Sequence, residues 1–244
     1  MRSTSGAVFV AALVLGLSAV AQADTITYGP TLYNNGGALY SGSSSGTFEV
    51  PQFLDGPGIT LTSVLLTVKV ESYDGEHAFD NNSWEWSGSV TLGIGAGVGV
   101  KGPDPVGGSR LTVYPEATET ATGSVAVDTG YPVDFIGPDA FSITGHYAAS
   151  TLADSRTAAL DLAPYIGAGN ATFEFYGNTS TAGTSSLGPA GAERVTAPEY
   201  KFTTTVEYTF TPEPATLSLL GLGGLLAMRR RKSLLSPRTG TMRF

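Results

Sequence analysis

This chain of 244 residues predicts an all-β fold: one antiparallel β-sandwich or jelly-roll-like domain. Three observations predict it. Apolar and polar residues alternate in steps of two, and a strand sends such neighbours to opposite faces. Clusters of Gly, Pro, Asn and Asp interrupt these runs at short intervals, with 32 Gly and 14 Pro in all. Charged residues are only 14% of the chain, too few for the Lys-, Glu- and Arg-rich outer faces of a helical bundle.

The first element lies outside the domain. Arg2, the apolar run Ala7–Leu17 and the small-x-small triplet Ala21-Gln22-Ala23 before Asp24 read as a secretory signal-peptide helix over residues 1–23. The alternative is an uncleaved anchor, but the run falls short of the ~20 apolar residues of a bilayer span.

Strands are expected at Thr25–Tyr33, Gly46–Val50, Leu111–Tyr114, Thr122–Val127, Phe141–Tyr147 and Ala171–Tyr176. Ile59–Val70 is apolar on both faces near Val64–Leu66, as in a central strand. Val90, Leu92, Ile94, Ala96, Val98 and Val100 alternate with Ser, Thr and Gly. The clearest pattern is the last: Tyr200, Phe202, Val206, Tyr208 and Phe210 take one face, and Lys201, Thr203, Thr205, Glu207 and Thr209 the other. One helical turn is expected over Ala158–Ile166, stopped by Gly167. The Ser/Thr-rich stretches Thr118–Thr122 and Thr179–Ser186 read as flexible loops. No repeat or linker divides residues 24–211, so one domain is expected.

The C-terminal element is a second address. Thr211-Pro212-Glu213-Pro214 ends the last strand, because prolines cannot continue a ladder. Ala215–Met228 carries no charge, and Arg229, Arg230, Arg231 and Lys232 follow as a stop-transfer cluster that stays cytoplasmic. A helix of about 14 residues spans about 21 Å, short of a ~30 Å hydrocarbon core. The expectation is a weak or temporary transmembrane sorting helix over 212–232, with the body outside and residues 233–244 as a cytoplasmic tail.

These residues carry a resemblance. Pro212, Glu213 and Pro214, then Leu217–Met228, then Arg229–Arg231 resemble the PEP-CTERM sorting signal. The resemblance implies a Gram-negative bacterium that makes exopolysaccharide and an exosortase-like membrane enzyme as partner. It also implies passage through the inner membrane, and release to the cell surface or extracellular matrix. The twelve residues after the basic cluster depart from the family's usual abrupt end.

The body carries a second, looser resemblance. Gly46–Phe53 followed by Leu61–Val64 resembles the opening of the choice-of-anchor E domain, and Asp134–Pro138 and Leu160–Gly167 fit the same pattern. Leu54 stands where that family usually has Asp directly after Pro-Gln-Phe. The resemblance implies a bacterial surface β-domain with no established biochemical activity.

Composition removes several chemistries. With no cysteine there is no disulfide, thiolate nucleophile or Cys-ligated metal. Between Asp24 and Thr211, six Lys and Arg face 20 Asp and Glu, a net of −14, which opposes binding to nucleic acid. The bland reading of that charge is a solvated surface; the sharper one is an acidic face that holds divalent cations within a polysaccharide. A hydrolytic triad needs a base, and neither His77 nor His146 has a nucleophile elbow nearby; His146 is read as pointing outward from a strand. No enzyme activity is expected.

Two low-specificity sites remain. Asp74, Glu76, Asp80 and Asn82 gather oxygens within a short segment, as a weak Ca²⁺ loop would, although the spacing is not that of an EF-hand. The alternative is an exposed polar hairpin loop, with no cofactor at all. Trp84 and Trp86 flank Glu85, which suggests a carbohydrate platform. The competing reading makes 84–86 a strand whose two indoles cap the core while Glu85 meets solvent. The combined expectation is an exported, non-enzymatic cell-envelope or matrix protein, structural or adhesive within exopolysaccharide. A carbohydrate-binding module using Trp84 and Trp86 is the alternative.

Overall fold

The structure is a computed structural model that describes residues 23–34, 39–56, 58–128, 133–187 and 191–212. The signal peptide, apart from Ala23, and everything from Glu213 onward lie outside the described residues. The chain divides into two compact units: Thr25–Asp55 with Leu61–Phe210, which is the β-body, and a second made of Met1–Asp24, Gly56–Thr60 and Thr211–Phe244. Within the second, Gly56 and Ile59 close a small turn, the Ile59 amide donating to the Gly56 carbonyl at 3.1 Å.

Thirteen strands are described: β1 (Asp24–Tyr33), β2 (Tyr40–Ser41), β3 (Ser44–Pro51), β4 (Ile59–Tyr73), β5 (Glu76–Asn81), β6 (Gly88–Lys101), β7 (Thr112–Val113), β8 (Glu116–Val125), β9 (Ala140–Thr144), β10 (Tyr147–Arg156), β11 (Asn170–Ser185), β12 (Gly191–Thr196) and β13 (Glu199–Pro212). One short helix, α1 (Ala159–Leu162), leads into a 3₁₀ turn at Ala163–Tyr165, and Gly167 follows, as the sequence predicts. The all-β expectation is met.

The strands form three sheets. One runs β1-β13-β4-β10, with β2 also pairing β13. The second runs β3-β11-β6-β7, and β8 joins β6 beside β7. The third is β12-β5-β9. β4 lies inside its sheet, in keeping with its apolar run.

Two cores follow from the alternation. Val64, Leu66, Val68 and Val70 of β4 and Tyr200, Phe202, Val206 and Tyr208 of β13 cluster with Ala96, Val98 and Val100 of β6 and Ala171, Phe173 and Phe175 of β11. Fully burying one such side chain contributes roughly 1.5–3 kcal/mol. The smaller core joins Val90, Leu92 and Ile94 of β6 to Phe79, Val125 and Ile143. β6 is long enough to serve both: its first half packs with β5 and β9, its second half with β4 and β13.

Several expectations need correction. Thr118–Thr122 is not a loop but part of β8, and Thr179–Ser185 extends β11; both pair with β6. Backbone hydrogen bonds to β6 hold these segments in the sheet, where their own side chains give no apolar alternation. Phe141–Tyr147 is not one strand: Gly145, at φ 64°, turns the chain between β9 and β10. β10 and β12 have no clear alternation in sequence and are strands through pairing with β4 and β5.

Candidate functional site

The sorting end is placed only at its threshold. β13 continues to Pro212, so the first proline of the motif terminates the strand instead of following it. Glu213, Pro214, Arg229, Arg230, Arg231 and Lys232 lie outside the described residues, as does Ala21. Ala23 is exposed, and β1 begins at Asp24, the residue after the expected cleavage point. Among the described residues no helix is long and apolar enough to cross a membrane.

The acidic segment is a strand, not an exposed loop. Asp74 and Gly75 make the turn, both at positive φ, and β5 then carries Glu76–Asn81 between β12 and β9. Its side chains diverge. Asp74 is exposed; Glu76 receives the Arg194 guanidinium at 2.5 Å; Asn82 is exposed. Asp80 is buried, and its Oδ2 accepts the amides of Asp134 at 3.0 Å and Phe135 at 2.7 Å. Arg194 also lies over the Phe135 ring, 4.6 Å from its centroid. These carboxylates hold a neighbouring loop and a guanidinium. Among the described residues no three His, Cys, Asp or Glu gather to hold a metal ion.

Both histidines are buried. His77 Nδ1 meets the Gly93 carbonyl at 3.1 Å, and its Nε2 lies 3.6 Å from a Glu193 carboxylate oxygen. His146 is not outward-pointing: it sits in the β9–β10 turn with Nδ1 2.9 Å from Glu119 Oε2. Neither histidine is paired with a serine or threonine hydroxyl in these interactions.

Trp84-Glu85-Trp86 is a bend between β5 and β6, not a strand, and the indoles do not cap the core. Trp84 is 78% and Trp86 66% exposed. The bend is built from below: Asn81 donates to the Trp86 carbonyl at 2.7 Å, and Ser83 Oγ accepts the Trp86 amide at 3.0 Å. Two large apolar rings are thus held in solvent on an anchored backbone.

A groove that sequence reasoning missed lies on the outer face of β6 and β11. Tyr176 stands opposite Gly99, and Asn178 opposite Gly97. A Cβ at Gly99 would overlap the Tyr176 ring, and one at Gly97 would crowd the Tyr114 hydroxyl, so both tyrosines lie down on glycine backbone. Their rings are 21° from parallel with centroids 5.8 Å apart. The Tyr114 hydroxyl donates to Asn178 Oδ1 at 3.1 Å. Ser43, Ser44 and Ser45 complete an open groove of about 460 Å³. The alternating glycines of β6 were the available sequence signal, but the partner rings come from 15 and 77 residues further on.

The body's motif segments also meet. The Phe53 amide donates to the Tyr165 carbonyl at 2.7 Å, while Gln52 donates to the Pro164 carbonyl and accepts the Gly169 amide.

No curated protein matches the sequence. Among solved structures the chain is similar to the infectious bursal disease virus Gx strain, at 13% identity over 80% of this chain and 38% of that one, TM-score 0.21. It is also similar to the infectious bursal disease virus VP2 subviral particle, at 12% identity over 86% and 49%, TM-score 0.12. The chain thus spans less than half of either, and likenesses this slight carry no argument. Residues 210–232 match the PEP-CTERM protein-sorting motif, a C-terminal sorting signal that implies an exported protein processed by an exosortase.

Proposed function

We propose that this is a non-enzymatic, exosortase-sorted protein whose β-body has a structural or adhesive role within exopolysaccharide. The sorting-motif match at 210–232 carries the reading. The acidic body supports it, since a net charge of −14 keeps an exported domain soluble in a hydrated matrix. The resemblance of Gly46–Thr205 to the choice-of-anchor E domain supports a surface role without assigning chemistry. No cofactor is needed. A Ca²⁺-stabilised variant of the reading predicts a higher melting temperature in millimolar Ca²⁺, and an unchanged one removes it.

Deleting Pro212–Lys232 tests the sorting. The truncated chain is expected to move from the membrane fraction to the medium; unchanged fractionation would contradict exosortase handling.

A second reading is a carbohydrate-binding module, favoured by the exposure of Trp84 and Trp86. Indoles in water offer apolar faces to sugar rings. Binding to glycans that disappears in Trp84→Ala or Trp86→Ala is its expected signature.

A further inference from the structure

We propose that the Tyr114–Tyr176 groove binds a pyranose unit of a neutral glycan. The inference deepens the matrix reading above and rests on it for where such a glycan is met. Its site is separate from the tryptophan bend.

The floor comes first. Because Gly97 and Gly99 have no side chains, each tyrosine lies close on the outer surface of β6, and the two near-parallel rings stack with centroids 5.8 Å apart. Tyr176 remains 42% exposed, so much of its ring meets the groove. The C–H face of a pyranose carries slight positive charge and matches the negative face of an aromatic ring.

The rim is polar and two-sided. Asn178 accepts the Tyr114 hydroxyl through Oδ1, which orients the amide and leaves its NH₂ as a donor. Ser43 and Ser45 bring exposed hydroxyls that both donate and accept, as sugar hydroxyls require. The charges nearby are of opposite sign: the Lys101 ammonium lies over the Tyr176 ring, 5.2 Å from its centroid, and Glu116 stands beside Tyr114. Lys101 also faces Glu174 across the ladder, and Glu174 is held by Arg110 at 2.8 Å. No single sign dominates, which favours an uncharged sugar. A volume near 460 Å³ suits one or two pyranose rings, within the ~300–1,000 Å³ of ordinary ligand sites.

A ring covering a strand glycine is also a packing device, and the experiment separates the two roles. The full chain, held in a detergent without a sugar headgroup, is titrated with neutral glucan, galactan and N-acetylglucosamine oligosaccharides. At least one is expected to bind at micromolar concentration. Tyr176→Ala is expected to weaken binding about tenfold or more. Ser43→Arg fills the groove without entering the core and is expected to do the same at unchanged melting temperature. Trp84→Ala/Trp86→Ala should bind as the parent does. Binding to none of the three series overturns the proposal, as does binding that survives Tyr176→Ala and Ser43→Arg, or that the tryptophan variants abolish. The Pro212–Lys232 deletion is scored by fractionation alone, so failure of the glycan site and failure of the sorting reading are told apart.

Discussion

The Asp80 carboxylate accepts two backbone amides of the loop at Asp134 and Phe135 while itself buried. A charge withdrawn from water is tolerable only when donors replace its hydration. Asp80→Ala leaves two amides unpaired and is expected to cost about 3 kcal/mol in urea denaturation, whereas exposed Asn82→Ala is expected to stay within about 0.5 kcal/mol. Glu71 shows the other use of a carboxylate. Burial alone would raise its pKa, but Lys69 at 3.1 Å, the Tyr147 hydroxyl at 3.1 Å and Lys201 at 3.5 Å together hold it below its ordinary 4.5. A folded pKa below the unfolded one contributes stability above the unfolded value, lost as pH falls through the folded one. The parent should therefore be more stable than Glu71→Gln at pH 7, with the difference shrinking as pH falls past the ordinary 4.5 and lost once it is below the lowered folded value. Denaturation midpoints across pH check this.

β6 is the element on which the body turns. Its inward residues feed two cores, and its outward residues Gly93, Gly95, Gly97 and Gly99 let neighbouring chain and side chains come close. Glycine normally weakens a strand, but here β11 and β8 hydrogen-bond its two edges. Gly99→Ala forces the Tyr176 ring off the sheet and is expected to cost about 1–3 kcal/mol and shift the tyrosine fluorescence. The strand itself was legible from Val90 to Val100, and so was its apolar face. The groove was not, because residues 97, 99, 114, 176 and 178 become neighbours only through strand pairing. β5 shows the same limit: Asp74–Asn82 reads as a polar loop, and becomes a central strand because β9 and β12 supply its hydrogen bonds.

Across the whole molecule, no disulfide holds the body, so packing between sheets must do so. Phe173 is fully buried, stacked on Phe48 with ring centroids 5.1 Å apart and tilted against Tyr165 at 6.1 Å. Phe173→Ala is expected to cost about 3–5 kcal/mol, measured as loss of the folded baseline at lower urea. The cost is high for an exported domain, whose total stability is typically ~5–15 kcal/mol.

The sequence by itself determined the β class, the strands with clear alternation and the sorting signal at 210–232, because these are properties of contiguous residues. Side-chain period and the order of proline, apolar run and arginines need no folding to be read. Only the tertiary structure decided that Trp84 and Trp86 face solvent, that Asp80 and both histidines are buried, and that two tyrosines share one groove. The physical reason is common to all of them: burial and juxtaposition follow from which strands pair, and no local pattern of residues records its distant partner.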